Sequence, residues 1–162
     1  MRRNLPTILM CLALAATACA PLSAAPPVAH RAVPVGRPNT GLRVIPLTIS
    51  QNGNKHTFQV EVAQTDAQQE TGLMFRTKMA RNHGMLFPSP SPEARTFWMK
   101  NTIIPLDIVF IGADHRISNI AANAVPYSLD DIPSEGPAIA VLELNGGRAA
   151  ALGFTPGALV SW

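Results

Sequence analysis

The chain has 162 residues, of which 47% are hydrophobic, and a formal net charge of +3. This charge is too small to indicate a nucleic-acid partner, and part of it comes from arginines that precede residue 42. The only two cysteines, Cys11 and Cys19, also lie near the N-terminus, which excludes disulfides, thiol nucleophiles and thiolate metal sites from residues 42–162.

The N-terminus has the pattern of a secretory signal peptide at residues 1–25. Basic residues precede an apolar run at 5–18, which is too short to span a bilayer comfortably, and small residues follow. Two cleavage sites stay open. An imperfect lipobox would leave a lipid on Cys19, whereas a cut after Ala24 or Ala25 would release a soluble protein. The pattern predicts export to the periplasm or cell envelope, with membrane contact only through that lipid or before cleavage.

Residues 26–41 are rich in Pro and Ala and have no hydrophobic period. Such a composition cannot bury a core, so it predicts a flexible linker. Residues 42–162 are close to the usual size of one domain and are sufficient to bury a core of their own.

The folded part begins with a predicted β-hairpin. Residues 43–50 and 55–63 alternate between apolar and polar side chains, and Asn52-Gly53 between them is a strong signal for a tight turn. Because Pro46 has no N–H to donate, the first strand is predicted to be an edge strand or to be bulged there.

A short helix is predicted next, with Thr65 as its N-cap and Gly72 as its C-cap. Gln68 follows Thr65 by three residues and completes a capping-box pattern. The apolar residues 84–87 predict a short strand. The alternating prolines and serines at 88–92 predict an exposed loop that no strand or helix could accommodate.

The second half contains further short apolar segments and a long polar loop at 123–137. One or two helical turns are predicted at 147–152. Strands are predicted at 95–100, 106–111, 116–122, 138–144 and 158–162. Because the long helices of βαβ crossovers are missing, the pattern predicts a β-rich α+β domain, formed as a curled antiparallel sheet or a partly open barrel.

Four motifs occur in order along this domain: GLMFR at 72–76, GMLF at 84–87, FWMKNT followed by PLD at 97–107, and VLEL at 141–144. Together they resemble the DUF192 family of domains of unknown function. The resemblance covers almost all of the predicted domain. It implies a small, β-rich α+β domain that is often exported, and it implies no established activity.

Polar residues interrupt the apolar run at 97–111 and occur in the neighbouring motifs. The carboxylates Asp107 and Glu143 alternate with apolar residues, so each would point towards apolar surroundings. An unpaired buried carboxylate has a raised pKa, whereas pairing with Arg76 or Lys100 would keep it ionised. Two interpretations stay open: a cleft that binds a polar ligand or transfers protons, and an ion-pair network that fixes the sheet register.

Trp98 is close in sequence to the cation of Lys100 and the amide of Asn101. An aromatic ring beside such groups is a common way to hold sugars and small polar ligands, through stacking and a few hydrogen bonds. The alternative is that Trp98 only covers the core.

The sequence gives little support for a metal site. Met79, His83 and Met85 could supply ligands to Cu(I), but the methionines mostly stand between apolar neighbours, as core residues do. The histidines lack the spacing of a zinc site, and no nucleophile elbow or phosphate-binding glycine loop is present. We therefore expect no metal and no cofactor.

The leading hypothesis is a non-enzymatic, exported binding or accessory domain for a small polar or saccharide-like ligand. Its cleft would be lined by Arg76, Trp98, Lys100, Asn101, Asp107 and Glu143. One alternative is a cell-envelope hydrolase or transferase that uses Asp107 and Glu143 as acid and base. Another is a structural or assembly partner that has no small ligand.

Overall fold

The computed structural model describes residues 41–162. The predicted signal peptide, both cysteines and the predicted linker up to residue 40 lie outside the described residues. The strands are β1 (Val44–Gln51), β2 (Asn54–Val62), β3 (His83–Glu93), β4 (Thr96–Phe97), β5 (Leu106–Gly112), β6 (Ile117–Ala124), β7 (Ile132–Pro133), β8 (Ala138–Asn145) and β9 (Leu159–Ser161), and the helices are α1 (Asp66–Thr71) and α2 (Arg148–Ala151). In this part of the chain, neither helix is long and apolar enough to cross a membrane.

Seven strands form one sheet in the order β6-β5-β8-β3-β2-β1-β9, and β4 pairs separately with β7. All neighbouring strands are antiparallel except β2 and β3, which are parallel and are connected through α1. An isolated bridge joins Arg116, just before the edge strand β6, to Leu159 in the opposite edge strand. The predicted β-rich α+β fold with a curled sheet is therefore confirmed, with one parallel pair in the sheet, which does not close into a barrel.

The predicted tight turn at Asn52-Gly53 and the predicted caps of the first helix are confirmed. Asn52 and Gly53 both have positive φ, as the tight turn between β1 and β2 requires. The side chain of Thr65 accepts from the N–H of Gln68, and the Gln68 side chain accepts from the N–H of Thr65, which completes the capping box. Gly72 ends the helix.

The prediction that Pro46 lies in an edge strand or at a bulge is wrong. β1 is an inner strand, because β2 and β9 pair with its two sides. However, β9 pairs only with Thr48, Ile49 and Ser50, so none of the described strands lies beside β1 on that side at Pro46. The proline therefore lies where its missing N–H costs the sheet no ladder bond.

The prediction of a loop at 88–92 is wrong, because β3 continues through these residues to Glu93. The parallel partner β2 pairs with β3 only as far as Leu86, so beyond it none of the described strands pairs with that side of β3. Towards β8 the register breaks between Pro88 and Glu93. Prolines fit such a stretch, since extended backbone suits their fixed φ and few ladder bonds are needed.

The predicted strand at 95–100 is mostly wrong as well. Only Thr96 and Phe97 form β4, and they pair with β7, a short strand inside the predicted loop at 123–137. The chain then turns, and the N–H of Thr102 donates to the carbonyl of Met99 at 3.0 Å.

The sheet has an apolar core on each face. One core includes Leu142 and Leu144 of β8 and is covered in part by Ala149 of α2. The other includes Val141 of the same strand together with Met99 and further residues that precede β5. Successive residues of β8 thus point alternately into the two cores, and the strand is buried on both faces.

Candidate functional site: the Glu143 cleft

Glu143 interrupts the second apolar face of the sheet. It lies on β8 opposite Met85 of β3 and Ile108 of β5, and only 5% of the residue is exposed. Its Oε2 atom makes no hydrogen bond within the described part of the chain. Burial raises the pKa of the Glu143 carboxyl to about 8, because the charged form loses its hydration. The side chain therefore carries a proton at neutral pH and can both donate and accept a hydrogen bond.

Glu143 lines a cleft with a volume of about 280 Å³. α1 and the segment that follows it form one part of the wall, and the region around β4 forms another. The polar and aromatic residues that line the cleft with Glu143 include Gln69, Glu70, Thr71, Phe87, Arg95, Phe97, Trp98 and Thr102. We call this feature the Glu143 cleft.

Trp98 is the large exposed side chain of the Glu143 cleft. It is 45% exposed, and the Nζ atom of Lys100 lies 4.9 Å from the centroid of its ring. This distance is typical of a cation–π contact. Lys100 itself is exposed and is not among the residues that line the cleft. Its connection to the cleft is the contact with the indole of Trp98.

A turn after β4 places Thr102 in the cleft wall. Asn101 adopts φ of 54°, a left-handed conformation that Asn tolerates better than most residues. Its side-chain amide faces Met74, with 3.8 Å between Nδ2 and Sδ. The buried Thr102 then bonds the carbonyl of Lys100 through its hydroxyl at 3.3 Å. Asn101 therefore shapes the turn, and Thr102 faces the cleft.

Arg95 belongs to the site and was not predicted from the sequence. Its guanidinium donates to Gln69 Oε1 at 2.9 Å and to Ser89 Oγ at 2.5 Å, and it lies 3.2 Å from a carboxylate oxygen of Glu93. It also lies 5.6 Å from the centroid of Phe97. These contacts fix the wall between α1, β3 and β4. No sequence signal could have found the contact with Gln69, because the two residues are 26 positions apart.

Asp107 does not share the Glu143 cleft. Its partner in the sheet is Leu144, one position beyond Glu143, so the two carboxylates point to opposite faces. The buried Asp107 accepts three backbone N–H groups, from Asn123 at 2.9 Å, Gly147 at 2.9 Å and Ala149 at 2.7 Å. It fixes the start of α2, and the predicted convergence of Asp107 with Glu143 is wrong.

Arg76 is also outside the Glu143 cleft. Its guanidinium forms a two-fold contact with the carboxylate of Glu61 on β2, at 2.6 Å and 2.5 Å. Arg76 thus belongs to a structural ion pair with Glu61, and not to the pairing with Asp107 or Glu143 that the sequence left open. Of the six residues predicted to line a site, Trp98 and Glu143 meet in the cleft.

The copper alternative has little geometric support. Met85 is completely buried in the second core, whereas His83 is exposed. Among residues 41–162, no group of three or more His, Cys, Asp or Glu side chains is placed to hold a metal ion.

Two crystal structures resemble this chain over most of its length. A protein of unknown function from Novosphingobium aromaticivorans DSM 12444 has 50% sequence identity and a TM-score of 0.75, with 82% of this chain and 94% of that chain covered. A protein from Sinorhizobium meliloti 1021, for which a role in transcription regulation has been suggested, has 40% identity and a TM-score of 0.74, with 76% and 96% covered. None of the curated proteins matches the chain.

The family comparison agrees with the motifs and with the fold. The model of the DUF192 family, described as an uncharacterised family, matches residues 47–162, which extend from the first strand to the last described residue. The chain belongs to the DUF192 family.

Proposed function

We propose that this domain is an exported, non-enzymatic binding or accessory module whose Glu143 cleft holds a small, uncharged, saccharide-like ligand. One observation carries the proposal: a buried carboxyl lines an open cleft, and its Oε2 has no hydrogen-bond partner in the described part of the chain. An unmade hydrogen bond on a buried polar group is costly. A ligand hydroxyl in the cleft would remove that cost. The signal-peptide pattern at residues 1–25 supports export.

The chemistry of the cleft favours a neutral ligand. Glu143 carries no charge at neutral pH, and the positive charge of Arg95 is already offset by Glu93 and held by Gln69. Hydroxyl, amide and carboxyl groups are suited to polyhydroxylated molecules. The half-exposed indole of Trp98 offers a flat apolar surface for one face of a sugar ring.

A hydrolase or transferase is the second candidate, and the raised pKa of Glu143 favours it because a general acid must be protonated near neutral pH. The acid–base pair cannot be Asp107 and Glu143, which lie on opposite faces of the sheet. The other carboxylate in the lining of the cleft is Glu70, which is exposed at the end of α1. Release of reducing ends from oligosaccharides by the wild type, abolished in Glu143→Gln, would replace the binding proposal with this one.

We do not extend the role suggested for the Sinorhizobium relative to this chain. The formal net charge of this chain is only +3. Its sequence contains none of the motifs by which a helix or strand enters a groove of a nucleic acid.

Thermal-shift screening against neutral sugars, sugar acids and small anions tests the proposal, because a ligand that binds only the folded protein raises the melting temperature. We expect neutral sugars to give the largest shift. Trp98→Ala should weaken binding by about two- to tenfold, as expected for loss of one stacking contact. Trp162→Ala is the matched control, since Trp162 is 42% exposed but does not line the cleft. No shift with any sugar, or equal losses in the two variants, would exclude this ligand class.

A further inference from the structure

We propose that the domain has a second binding site, for a small oxyanion such as a phosphate group, between Arg81 and Arg148. Both arginines line a separate cleft with a volume of about 360 Å³, together with Met79, Asn145, Gly146, Gly147 and Ala151. None of these residues lines the Glu143 cleft. The two clefts therefore share no lining residue.

Two side-chain hydrogen bonds hold the walls of this cleft together. The amide of Asn145 donates to the carbonyl of Ala80 at 3.1 Å, and the guanidinium of Arg148 donates to Asn82 Oδ1 at 2.7 Å. Arg81 is the residue between Ala80 and Asn82. The backbone of Arg81 is thus fixed beside Arg148 from both sides, and the two cations are built into the same cleft.

Within residues 41–162, the two guanidinium groups have no carboxylate partner at ion-pair distance. In the described part of the chain, the ion pairs are those of Arg76 with Glu61 and of Arg95 with Glu93. The Nε atom of Arg148 is buried and makes no hydrogen bond within the described part of the chain. Loss of hydration, followed by the like charge of Arg81, lowers the pKa of the Arg148 guanidinium. An anion between the two arginines would relieve their repulsion and accept from the free Nε–H.

The geometry of the donors identifies the chemical class of the ligand. Guanidinium groups donate two parallel N–H bonds, which match the oxygens of phosphate or carboxylate. The short helix α2 does not supply the site, because the N–H groups of Gly147 and Ala149 already donate to Asp107. The arginine side chains are therefore the recognition elements.

Isothermal titration of the full-length protein with inorganic phosphate, at constant ionic strength in chloride, tests this site. We expect saturable binding of one phosphate. Arg81→Gln and Arg148→Gln should each weaken it about tenfold, since each removes charge-assisted hydrogen bonds. Arg148→Lys keeps the charge but loses the two-fold donor geometry, and should also bind more weakly. Arg43→Gln removes one exposed arginine elsewhere and should bind as the wild type does.

Absence of saturable phosphate binding would overturn the proposal, as would an equal loss in Arg43→Gln, which would indicate general charge attraction. Vesicles that contain phosphatidylglycerol form a second arm. Binding to them without any response to inorganic phosphate would also overturn it. Because Arg148 supports Asn82, circular dichroism must show that each variant is folded, and Arg81→Gln alone decides the outcome if Arg148→Gln is not.

Discussion

Asp107 and Glu143 lie on adjacent strands, yet their side chains are on opposite faces of the sheet. Asp107 is opposite Leu144, and Glu143 is opposite Ile108, so the two carboxylates are offset by one residue along the paired strands. That step gives two buried carboxylates different surroundings. Asp107 is satisfied by three backbone N–H groups, whereas Glu143 faces a cleft with one oxygen unpartnered. Alternation of side chains along a strand thus separates a structural carboxylate from a candidate binding group.

Asp107→Ala should strongly destabilise the fold. The substitution leaves the N–H groups of Asn123, Gly147 and Ala149 without their acceptor, and a hydrogen bond to a charged group contributes about 1.5–3 kcal/mol. We expect the free energy of unfolding in urea to fall by about 3 kcal/mol or more. The exposed Asp131 offers a matched control, and Asp131→Ala should change stability little. Similar effects of the two substitutions would contradict the structural role of Asp107.

Glu143 should make stability fall as the pH rises. Below pH 4.5 the carboxyl is protonated in both the folded and the unfolded state. Between pH 4.5 and about 8 the unfolded chain loses the proton while the folded protein retains it. The free energy of unfolding then falls by about 1.4 kcal/mol per pH unit at most, and the loss ends above about pH 8.

Glu143→Gln should remove this dependence, because the amide has nearly the same shape and no charge. Urea unfolding at a series of pH values between 5 and 9 measures the difference, with Glu70→Gln as the control for an exposed carboxylate of the same cleft. Parallel pH profiles for wild type and Glu143→Gln would show that Glu143 does not bind its proton more tightly in the folded state.

The ion pair of Arg76 with Glu61 should contribute measurably to stability. Both side chains are mostly buried, at 19% and 21% exposure, and the guanidinium contacts both carboxylate oxygens. Arg76→Lys should cost about 1–2 kcal/mol, because an ammonium group cannot reproduce the two-fold contact. A double-mutant cycle with Glu61→Gln isolates the pair.

The pair of Arg95 with Glu93 provides the comparison. The Glu93 side chain is 51% exposed and the N–O distance is 3.2 Å, so Glu93→Gln should change stability by less than about 1 kcal/mol. A cycle that gives no coupling between Arg76 and Glu61 would show that their contact is offset by lost hydration.

Gly84→Ala should be destabilising although the residue lies in an ordinary extended strand. A Cβ atom there would lie 2.6 Å from the carbonyl oxygen of Glu143 and 3.0 Å from the Leu144 side chain. Since the first of these is backbone, β3 and β8 would have to separate. We expect a loss of about 1–3 kcal/mol in urea unfolding, with altered amide chemical shifts at Glu143. Wild-type stability in this variant would show that the strands can move apart at little cost.

Features that depend on a few adjacent residues were predictable from the sequence. The Asn52-Gly53 turn and the Thr65–Gln68 capping box each follow from the chemistry of neighbouring side chains, and both are present. The apolar runs also placed β5 and β8 correctly, because strands buried on both faces lack competing signals.

Features that depend on distant partners were not predictable. β3 passes through Pro88 because β2 has already ended beside it, and the prolines themselves carry no such information. Arg76 pairs with Glu61, and the alternation along β2 shows only that Glu61 is one of its polar residues, not which residue it contacts. Alternation showed that Asp107 and Glu143 would be buried, but only the register between β5 and β8 decides whether they meet.

The pairing of β1 with β9 makes completion of the sheet depend on the last strand. The side chain of Gln51 accepts from the N–H of Thr155 at 3.0 Å, a contact between residues 104 positions apart, and β9 then covers the outer side of β1. A nascent chain that ends at β8 lacks this strand and exposes unpaired backbone of β1. Such long-range pairing forms slowly because a large loop must close first. The sheet is therefore completed only once residues 159–161 have paired with β1.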